Sequence, residues 1–524
     1  MAADSWKGKE TILSPVTSLP GRASAALAGL VGAGVALGVG ELLAALVSSV
    51  PSPVVAVGRA VIDLTPGAAQ RQGIEAFGTA DKPALLFGTI LVVLLLGALV
   101  GMASRSRSAL APAAFGGFGA VGLAAAVSDP TTSWPLALAV VAASAVSGVA
   151  VLRRLLREAP AAATAGPLVD LGRRRFLVLA AGAGSLALAA GAIGRALASG
   201  GRAAAARARI VLGRPVMPLP PPPAGLEAAT PGLSPLYTAN DRFYRIDTAL
   251  VVPDVDIARW RLRVGGMVDR PFSLTYDELA AMPQVEADIT LCCVSNDVGG
   301  RLVGTARWQG VLLADLLERA GVQAGADQLV GRSVDRFTVG FPTSVLADGR
   351  QALVALGMGG EPLPVLHGFP ARLVVPGLYG YVSATKWLSE LELTTLDAFD
   401  AYWVPRGWSK EAPIKTSSRI DVPRAGQRLT AGPQAVAGVA WAPIRRISTV
   451  EVQVDDGPWV PADLGPEPSA ATWRQWVWTW DAPPGDHVLR VRAVDGAGEP
   501  QETKERPSVP NGATGLHRVR VSVA

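Results

Sequence analysis

Five runs of Ala, Leu, Val and Gly fill the first 195 residues, at 25–47, 84–103, 110–127, 134–152 and 176–193. A helix needs about 20 mostly apolar residues to cross a bilayer, and inside lipid every backbone polar group must find its partner within the chain. The pattern therefore predicts an N-terminal all-α transmembrane bundle of five helices over residues 1–200. The third and fifth runs are short, and Pro112 blurs the start of the third. The chain is 524 residues long, 50% hydrophobic and only 17% charged. That balance, with the apolar excess gathered at one end, excludes a plain cytosolic enzyme and a disordered chain. Gly32, Gly34 and Gly38 are read as small residues at a helix–helix contact. No strand precedes them, so they do not form a dinucleotide-binding loop.

Basic residues set the orientation. Lys7, Lys9 and Arg22 precede the first run, Arg105 and Arg107 follow the second, and Arg153, Arg154, Arg157, Arg173, Arg174 and Arg175 lie between the fourth and fifth. All fall on one side if the N-terminus is cytoplasmic, which leaves everything after about residue 195 outside the cytoplasm. The expected location is a multi-pass cell-membrane protein with lipid as a partner and its outer half extracytoplasmic. Arg195, Arg202, Arg207 and Arg209 run against this rule. The stretch Gly172-Arg173-Arg174-Arg175-Phe176-Leu177 resembles a twin-arginine export signal, here placed late and doubling as an anchor; it reads equally as a basic flank that sets topology. Glu41 is an ionisable group within the first run, a functional candidate by default. The expectation is the plainer one, a carboxyl that is protonated or hydrogen-bonded to a neighbouring helix. No run contains histidine, which excludes a b-type haem held there by two histidines. No Cys-x-x-Cys-His occurs, so no attached c-type haem is expected.

A Pro-rich linker at 201–234, containing Pro218-Leu219-Pro220-Pro221-Pro222-Pro223, reads as an extended spacer. Beyond it lie 11 of the 13 tryptophans. Residues 235–405 have an α+β pattern without regular βαβ alternation. Strands are expected at 260–264, 287–294 and 372–375, and a helix at 311–320 with Leu312, Leu313, Leu316 and Leu317 on its apolar side. Residues 416–524 alternate apolar and polar residues at 449–454, 488–493 and 518–523 between turns, which predicts an immunoglobulin-like β-sandwich. Trp473, Trp476, Trp478 and Trp480 are spaced for one strand, mostly as core. With 48 basic and 43 acidic residues and no basic patch interleaved with aromatics, a nucleic-acid partner is not expected.

Two stretches carry candidate chemistry. In Ile289-Thr290-Leu291-Cys292-Cys293-Val294-Ser295-Asn296, adjacent cysteines on a strand face opposite ways, and a bridge between neighbours is strained. One thiol is available as ligand or nucleophile and the other as a small core residue; taken alone, the pair reads more simply as buried and inert. In His367-Gly368-Phe369-Pro370-Ala371-Arg372, followed by Tyr379-Gly380 and Lys386-Trp387, an imidazole, a guanidinium and an ammonium lie within twenty residues. They suit a phosphorylated cofactor, and by themselves are equally surface charges.

Together these motifs resemble the sulfite oxidase family of molybdopterin enzymes. The resemblance runs from about Asn240 to the C-terminus. It rests on Asn240-Asp241-Arg242-Phe243-Tyr244-Arg245, Cys293-Val294-Ser295-Asn296, Trp308-Gln309-Gly310-Val311, Asp315-Leu316-Leu317, Gly360-Glu361-Pro362-Leu363-Pro364, His367-Gly368-Phe369-Pro370, Arg372, Val375-Pro376-Gly377 and Lys386-Trp387. The resemblance implies an α+β cofactor domain followed by an immunoglobulin-like domain. It implies a molybdenum–molybdopterin cofactor, with Cys293 as the metal-binding thiolate, a soft donor suited to that ion. His367, Arg372 and Lys386 match residues that hold the pterin phosphate. Asn240, Phe243, Tyr244 and Arg245 match the segment lining the cofactor and metal pocket, Arg245 also in a catalytic place, and Ser295, Asn296 and Ser383 complete the cofactor-binding set. A homodimer through the β-sandwich is implied in the same way.

The sequence departs from the family around the substrate. Asn296 is followed by Asp297 and Val298 where sulfite oxidases carry two arginines, Asp335-Arg336-Phe337-Thr338 lacks the pocket tyrosine, and residues 508–515 lack an arginine. The expectation is a membrane-anchored oxidoreductase performing two-electron oxygen-atom transfer on a small oxyanion, sulfur compound or sulfoxide. No b5-type haem domain precedes the catalytic part, so electrons pass to or from an external partner, a cytochrome or the quinone pool. Sulfite oxidation is the family default. A sulfoxide reductase is the enzyme alternative, and a cofactor-free surface binding protein is the alternative of another class.

Overall fold

The computed structural model describes residues 21–47, 50–77, 80–128, 132–159, 167–198 and 201–524. Lys7 and Lys9 lie outside the described residues. The chain divides into two compact units, Met1–Ser199 and Gly200–Ala524.

The first unit is helical: α1 Arg22–Leu46, α2 Pro53–Leu64, α3 Gly67–Phe77, α4 Asp81–Ser104, α5 Leu110–Val127, α6 Trp134–Glu158 and α7 Pro167–Ala198. Five of these, α1, α4, α5, α6 and α7, are long and apolar enough to cross a membrane. The sequence reading passed over α2 and α3, whose 12 and 11 residues fall well short of a span. Pro112 sits in the first turn of α5, where its missing N–H has no helical acceptor to lose. α7, which carries the fifth apolar run, is longer than that run, at 32 residues.

α1 is the hub, because its small residues admit neighbouring backbones. A Cβ on Gly29 would overlap the Gly97 carbonyl, one on Gly32 would come within 2.9 Å of the Gly148 carbonyl, and one on Gly38 would strike the Ala187 carbonyl. Ala25 likewise meets Gly101, and Glu41 meets Gly194. These pairings run α4 and α6 antiparallel to α1, and α7 parallel to it. They bring Arg22, Arg105, Arg107, Arg153, Arg154, Arg157, Arg173, Arg174 and Arg175 to one end of the unit. Glu41 is buried, and Oε1 accepts from Ser52 Oγ at 2.6 Å and from the Val54 N–H at 3.3 Å. The carboxylate thus caps α2, as the plainer reading of Glu41 expected. Phe87, Leu91, Val92, Leu95 and Leu99 on α4 stay exposed, forming an unbroken apolar outer face.

The second unit opens with α8 (Arg202–Arg207). Arg202 and Arg207, which ran against the charge rule, are tied within this unit to Asp254 and Glu361 at 3.1 and 2.7 Å. They belong to a folded surface and are not free flanking charges. Two five-stranded sheets follow. One has the order Phe272–Thr275, Arg261–Gly266, Leu388–Thr394, Gln328–Ser333, Thr338–Pro342. The other has the order Gln284–Cys292, Val303–Leu312, Leu353–Met358, Glu361–Pro362, with Arg372–Val374 also paired to Leu353–Met358. The helix expected at 311–320 begins later, at Leu313–Ala320, because Val311 and Leu312 pair with Val354 and Leu353 in the sheet. Its buried side is Leu313, Leu316 and Ala320. The strand expected at 287–294 is Gln284–Cys292, and the one at 260–264 is Arg261–Gly266.

From Ser417 on, two further sheets enclose one core. Val436, Ala440, Trp476 and Trp480 of the first meet Val450, Val452, Leu489, Val491, Val519 and Val521 of the second. Trp476 and Trp480 are buried in that core and Trp478 packs on its edge. Trp473 precedes the strand and instead locks the sheet pair to the preceding part of the unit, its Nε1 donating to the Leu236 carbonyl at 2.8 Å.

Candidate functional site

The site lies where three separate stretches of the second unit converge. The strand Gln284–Cys292 delivers the cysteine pair at its C-terminal end. Cys292 turns into the hydrophobic core beside Val294, Val303 and Tyr379. Cys293, also buried, faces polar company. Burial pushes its thiol up, opposed by hydrogen bonds from Ser295 and by the Lys386 charge. For Cys292, burial outweighs the nearby Arg419 charge and holds the thiol well above the usual range. The following loop is clipped by Asn296, whose Oδ1 accepts from the Leu302 N–H at 2.7 Å. Ser295 remains exposed.

The second stretch runs from His367 to Lys386. Gly368 makes the packing possible: at φ +113°, with a Cβ there set to fall 2.9 Å from Lys386 Cα and 3.1 Å from Arg372 Cβ, only glycine fits. Trp387, buried and held at φ +50°, is a bulky residue in the left-handed region, the kind of strain that collects at working sites. Arg372 is 4% exposed, donates to the His367 carbonyl at 3.1 Å and lies over the Trp308 ring at 4.9 Å. Burial lowers its pKa to about 10. Lys386 is 8% exposed and burial brings its pKa down to about 8, in spite of Asp247.

The third stretch is Asn240–Arg245. Phe243 is buried, stacks on Tyr244 at 5.2 Å and meets Trp308 and His367 edge-on. Burial, and then the neighbouring cysteines, drive the Tyr244 phenol well above its usual range. Asn240 donates from Nδ2 to the Met358 carbonyl at 2.9 Å and to Glu361 at 2.7 Å. His367 Nε2 meets the Asn240 carbonyl at 2.8 Å. A carbonyl only accepts, so the proton is on Nε2, and Nδ1 is an acceptor. Burial keeps this ring neutral, with a pKa near 4.

Asp247 was not anticipated. Its Oδ2 receives Arg245 Nε at 2.9 Å and Lys386 Nζ at 3.1 Å, joining the third stretch to the second. The only trace in the sequence is Arg-x-Asp spacing in an extended segment, which puts both side chains on one side. Ser383 is fully buried and its hydroxyl donates to the Leu378 and Tyr379 carbonyls at 3.1 and 3.0 Å. That side chain braces the turn and has no proton left for a ligand.

Three buried polar atoms in this small region lack a protein partner among the described residues: Asn240 Oδ1, His367 Nδ1 and Arg372 Nε. Such atoms cost on the order of 1–3 kcal/mol each when left unsatisfied. Arg245, Arg372 and Lys386 against the single carboxylate of Asp247 leave a local surplus of positive charge. Two acceptors, a donor and excess positive charge fit a large group with ring N–H donors and a phosphate, and the buried Cys293 thiol sits at its edge. Among the described residues no three His, Cys, Asp or Glu side chains cluster as a metal site, so a metal here would need ligands from the bound group itself.

Tyr379 neighbours both cysteines electrostatically, and a Cβ on Gly512 would fall 2.5 Å from its hydroxyl. The 508–515 loop therefore does reach the site without an arginine. Lys415 lies beside this loop, its Nζ bound to Asn511 Oδ1 at 3.0 Å and the Gly512 carbonyl at 2.7 Å.

A fold of this kind around a cationic, cysteine-edged pocket defines a cofactor-binding oxidoreductase domain. Residues 249–403 match the oxidoreductase molybdopterin binding domain model. Human mitochondrial sulfite oxidase is 29% identical over 295 residues, 47% of this chain and 54% of that protein. The uncharacterized oxidoreductase YuiH of Bacillus subtilis (strain 168) is 34% identical over 154 residues, 29% of this chain and 74% of that protein. The sulfane dehydrogenase SoxCD of Paracoccus pantotrophus shares the fold, with a TM-score of 0.50 at 23% identity, over 55% of this chain and 82% of that one. The chain belongs to the sulfite oxidase family of molybdopterin oxidoreductases. It spans about half the length of the sulfite oxidases it matches. Asn240, Phe243, Tyr244 and Arg245 precede the matched domain, yet the fold brings them into the same pocket.

Proposed function

We propose that the protein is a membrane-anchored, molybdenum-cofactor oxidoreductase that carries out two-electron oxygen-atom transfer on a small sulfur oxyanion or related substrate outside the cytoplasm. The observation that carries the cofactor reading is the group of three orphaned buried polar atoms beside Cys293. A binding protein that had lost its cofactor would have no reason to keep them at that cost. In this reading Cys293 is the protein's ligand to molybdenum. Arg372, Lys386 and Arg245 would hold the phosphate, while Asn240 Oδ1 and His367 Nδ1, which has no proton to give a phosphate, would accept from pterin N–H groups. When bound, the cofactor supplies two-electron redox chemistry coupled to an oxygen atom; the protein supplies orientation and charge. Asp247 fixes Arg245 and Lys386 relative to each other, and Phe243 and Trp308 keep water from the Arg372 side of the pocket.

Membrane anchoring is supported by the five apolar helices and the exposed apolar face of α4. The gathering of basic residues at one end supports a cytoplasmic N-terminus. Arg202 and Arg207, two of the four arginines that opposed it, are paired within the second unit. From Ser417 on, two sheets around one core support the immunoglobulin-like reading. Electrons then pass to or from a separate carrier.

Sulfite oxidation is the first substrate reading, after the relatives' printed activities. A second reading, reduction of a neutral sulfoxide, is favoured by Asp297 and Val298 beside the site, since a sulfite dianion calls for cations there. Turnover separates the two. Sulfite-dependent reduction of an artificial acceptor supports the first; sulfoxide-dependent oxidation of a reduced viologen dye supports the second. Neither, in protein loaded with cofactor, would remove both substrates.

A further inference from the structure

The arginine that closes α8 reaches into the cofactor pocket through one carboxylate. Arg207 donates from Nη2 to Glu361 Oε2 at 2.7 Å, and from Nε to the Pro362 and Leu363 carbonyls, both at 3.0 Å. The other oxygen of the same carboxylate, Oε1, receives Asn240 Nδ2 at 2.7 Å. The second hydrogen of that amide goes to the Met358 carbonyl. The start of α8 is held independently. Asp254 accepts from Arg202 Nε and from the Ala203 N–H, and Ala203 is buried in the same cluster as Phe243, Trp308 and Leu363.

We propose that Arg207 is a positioning residue of the cofactor pocket: by fixing Glu361 it sets the orientation of the Asn240 amide, and so determines that this side chain offers an acceptor and not a donor to the pterin. The argument is one of hydrogen-bond polarity. An amide that faces two acceptors must turn its NH2 toward them. Its oxygen then points away, and it is this Oδ1 that is buried without a partner. Glu361 is half exposed, so without Arg207 its carboxylate is free to swing into water. Asn240 would then be held by Met358 alone, and nothing would oppose rotation of the amide. The Glu361 carboxyl is held below its usual range, first by Arg207 and then by Asn240, consistent with one shared network. Arg207 lies outside the matched domain of residues 249–403, so the pocket extends to a helix that directly follows the last apolar segment in sequence.

The inference rests on the cofactor reading above, and its test separates the two. Full-length protein would be purified with its cofactor as wild type, Arg207→Ala, and the charge swap Arg207→Glu with Glu361→Arg. The readouts are pterin retained per chain, followed by the fluorescence of the released and oxidised pterin, and the melting temperature. Loss of one such hydrogen bond predicts about tenfold faster pterin release in Arg207→Ala. The swap restores an ion pair but gives Asn240 a donor to face in place of an acceptor. It should therefore recover part of the melting temperature, the bonds to the Pro362 and Leu363 carbonyls being lost, and leave pterin release fast. Recovery of both by the swap would show that Arg207 is merely structural and overturn the inference, as would wild-type retention in Arg207→Ala. Wild-type protein without any pterin would overturn the cofactor reading and this inference with it.

Discussion

His367 donates its Nε2 proton to the main-chain carbonyl of Asn240 at 2.8 Å, across 127 residues of sequence. That single bond fixes the tautomer and leaves the buried Nδ1 as a lone-pair acceptor. It also predicts a pH dependence for the cofactor-free protein. The folded-state pKa is near 4 against 6.5 for the free ring, with burial as the cause. Above 6.5 both states are neutral and the stability is fully present. As pH falls from 6.5 toward 4, the unfolded chain takes up a proton that the folded one refuses, and stability drops by on the order of 3 kcal/mol. Denaturant unfolding across that window should lose part of its slope in His367→Gln. An unchanged slope would contradict the assignment.

Lys386 carries the opposite end of the pH range. Its pKa is about 8, lowered by burial more than Asp247 raises it. A phosphate binds the charged ammonium, so cofactor affinity should hold steady below about pH 8 and weaken above it. Lys386→Arg keeps its charge throughout this range and should flatten the profile, though it alters the geometry. Rebinding of extracted cofactor to the empty protein as a function of pH measures this. A wild-type profile that is flat through pH 8 to 10 on the pH scale of the lysine titration would count against phosphate contact by Lys386.

The cysteines should differ sharply in spite of being neighbours. Cys292 belongs to the hydrophobic core and Cys293 does not. Cys292→Ala is expected to cost about 1 kcal/mol through a small cavity and to leave metal content unchanged. Loss of metal in Cys292→Ala at full folding would reverse the assignment of the two thiols.

In the helical unit, Gly29 and Gly38 should tolerate no side chain. Either position changed to Leu drives a side chain into the backbone of α4 or α7. The expected result is loss of the folded helical unit in detergent, read by limited proteolysis. The same change at Gly116, which has open space around it, is the control and should be silent.

Much of this was legible in the sequence for physical reasons. Apolar runs report helices long enough for lipid directly, because length and composition are the requirement itself. The strand of Trp476, Trp478 and Trp480 was legible because period-2 alternation survives where one face is buried. Val311 and Leu312 were misread as helix because their fate is set by partners 42 residues or so away in sequence, Val354 and Leu353, which no local pattern encodes. The same limit hid Asp247 and the role of Glu361. Each gains its meaning only from groups that the fold brings to it, Lys386 in one case and Arg207 with Asn240 in the other. Cys293, His367, Arg372 and Lys386 were found through their motifs, and the pocket then joined them. Ser383 was placed in the cofactor-binding set, but its hydroxyl bonds its own turn, a use that residue type alone does not reveal.

The most direct test of the account is the molybdenum and pterin content of the purified full-length protein, measured beside Cys293→Ser. The account predicts about one molybdenum and one pterin per chain in wild type, with molybdenum lost or labile in the variant while the protein stays folded. Wild-type protein made in a host able to supply the cofactor, yet holding neither molybdenum nor pterin, would contradict it.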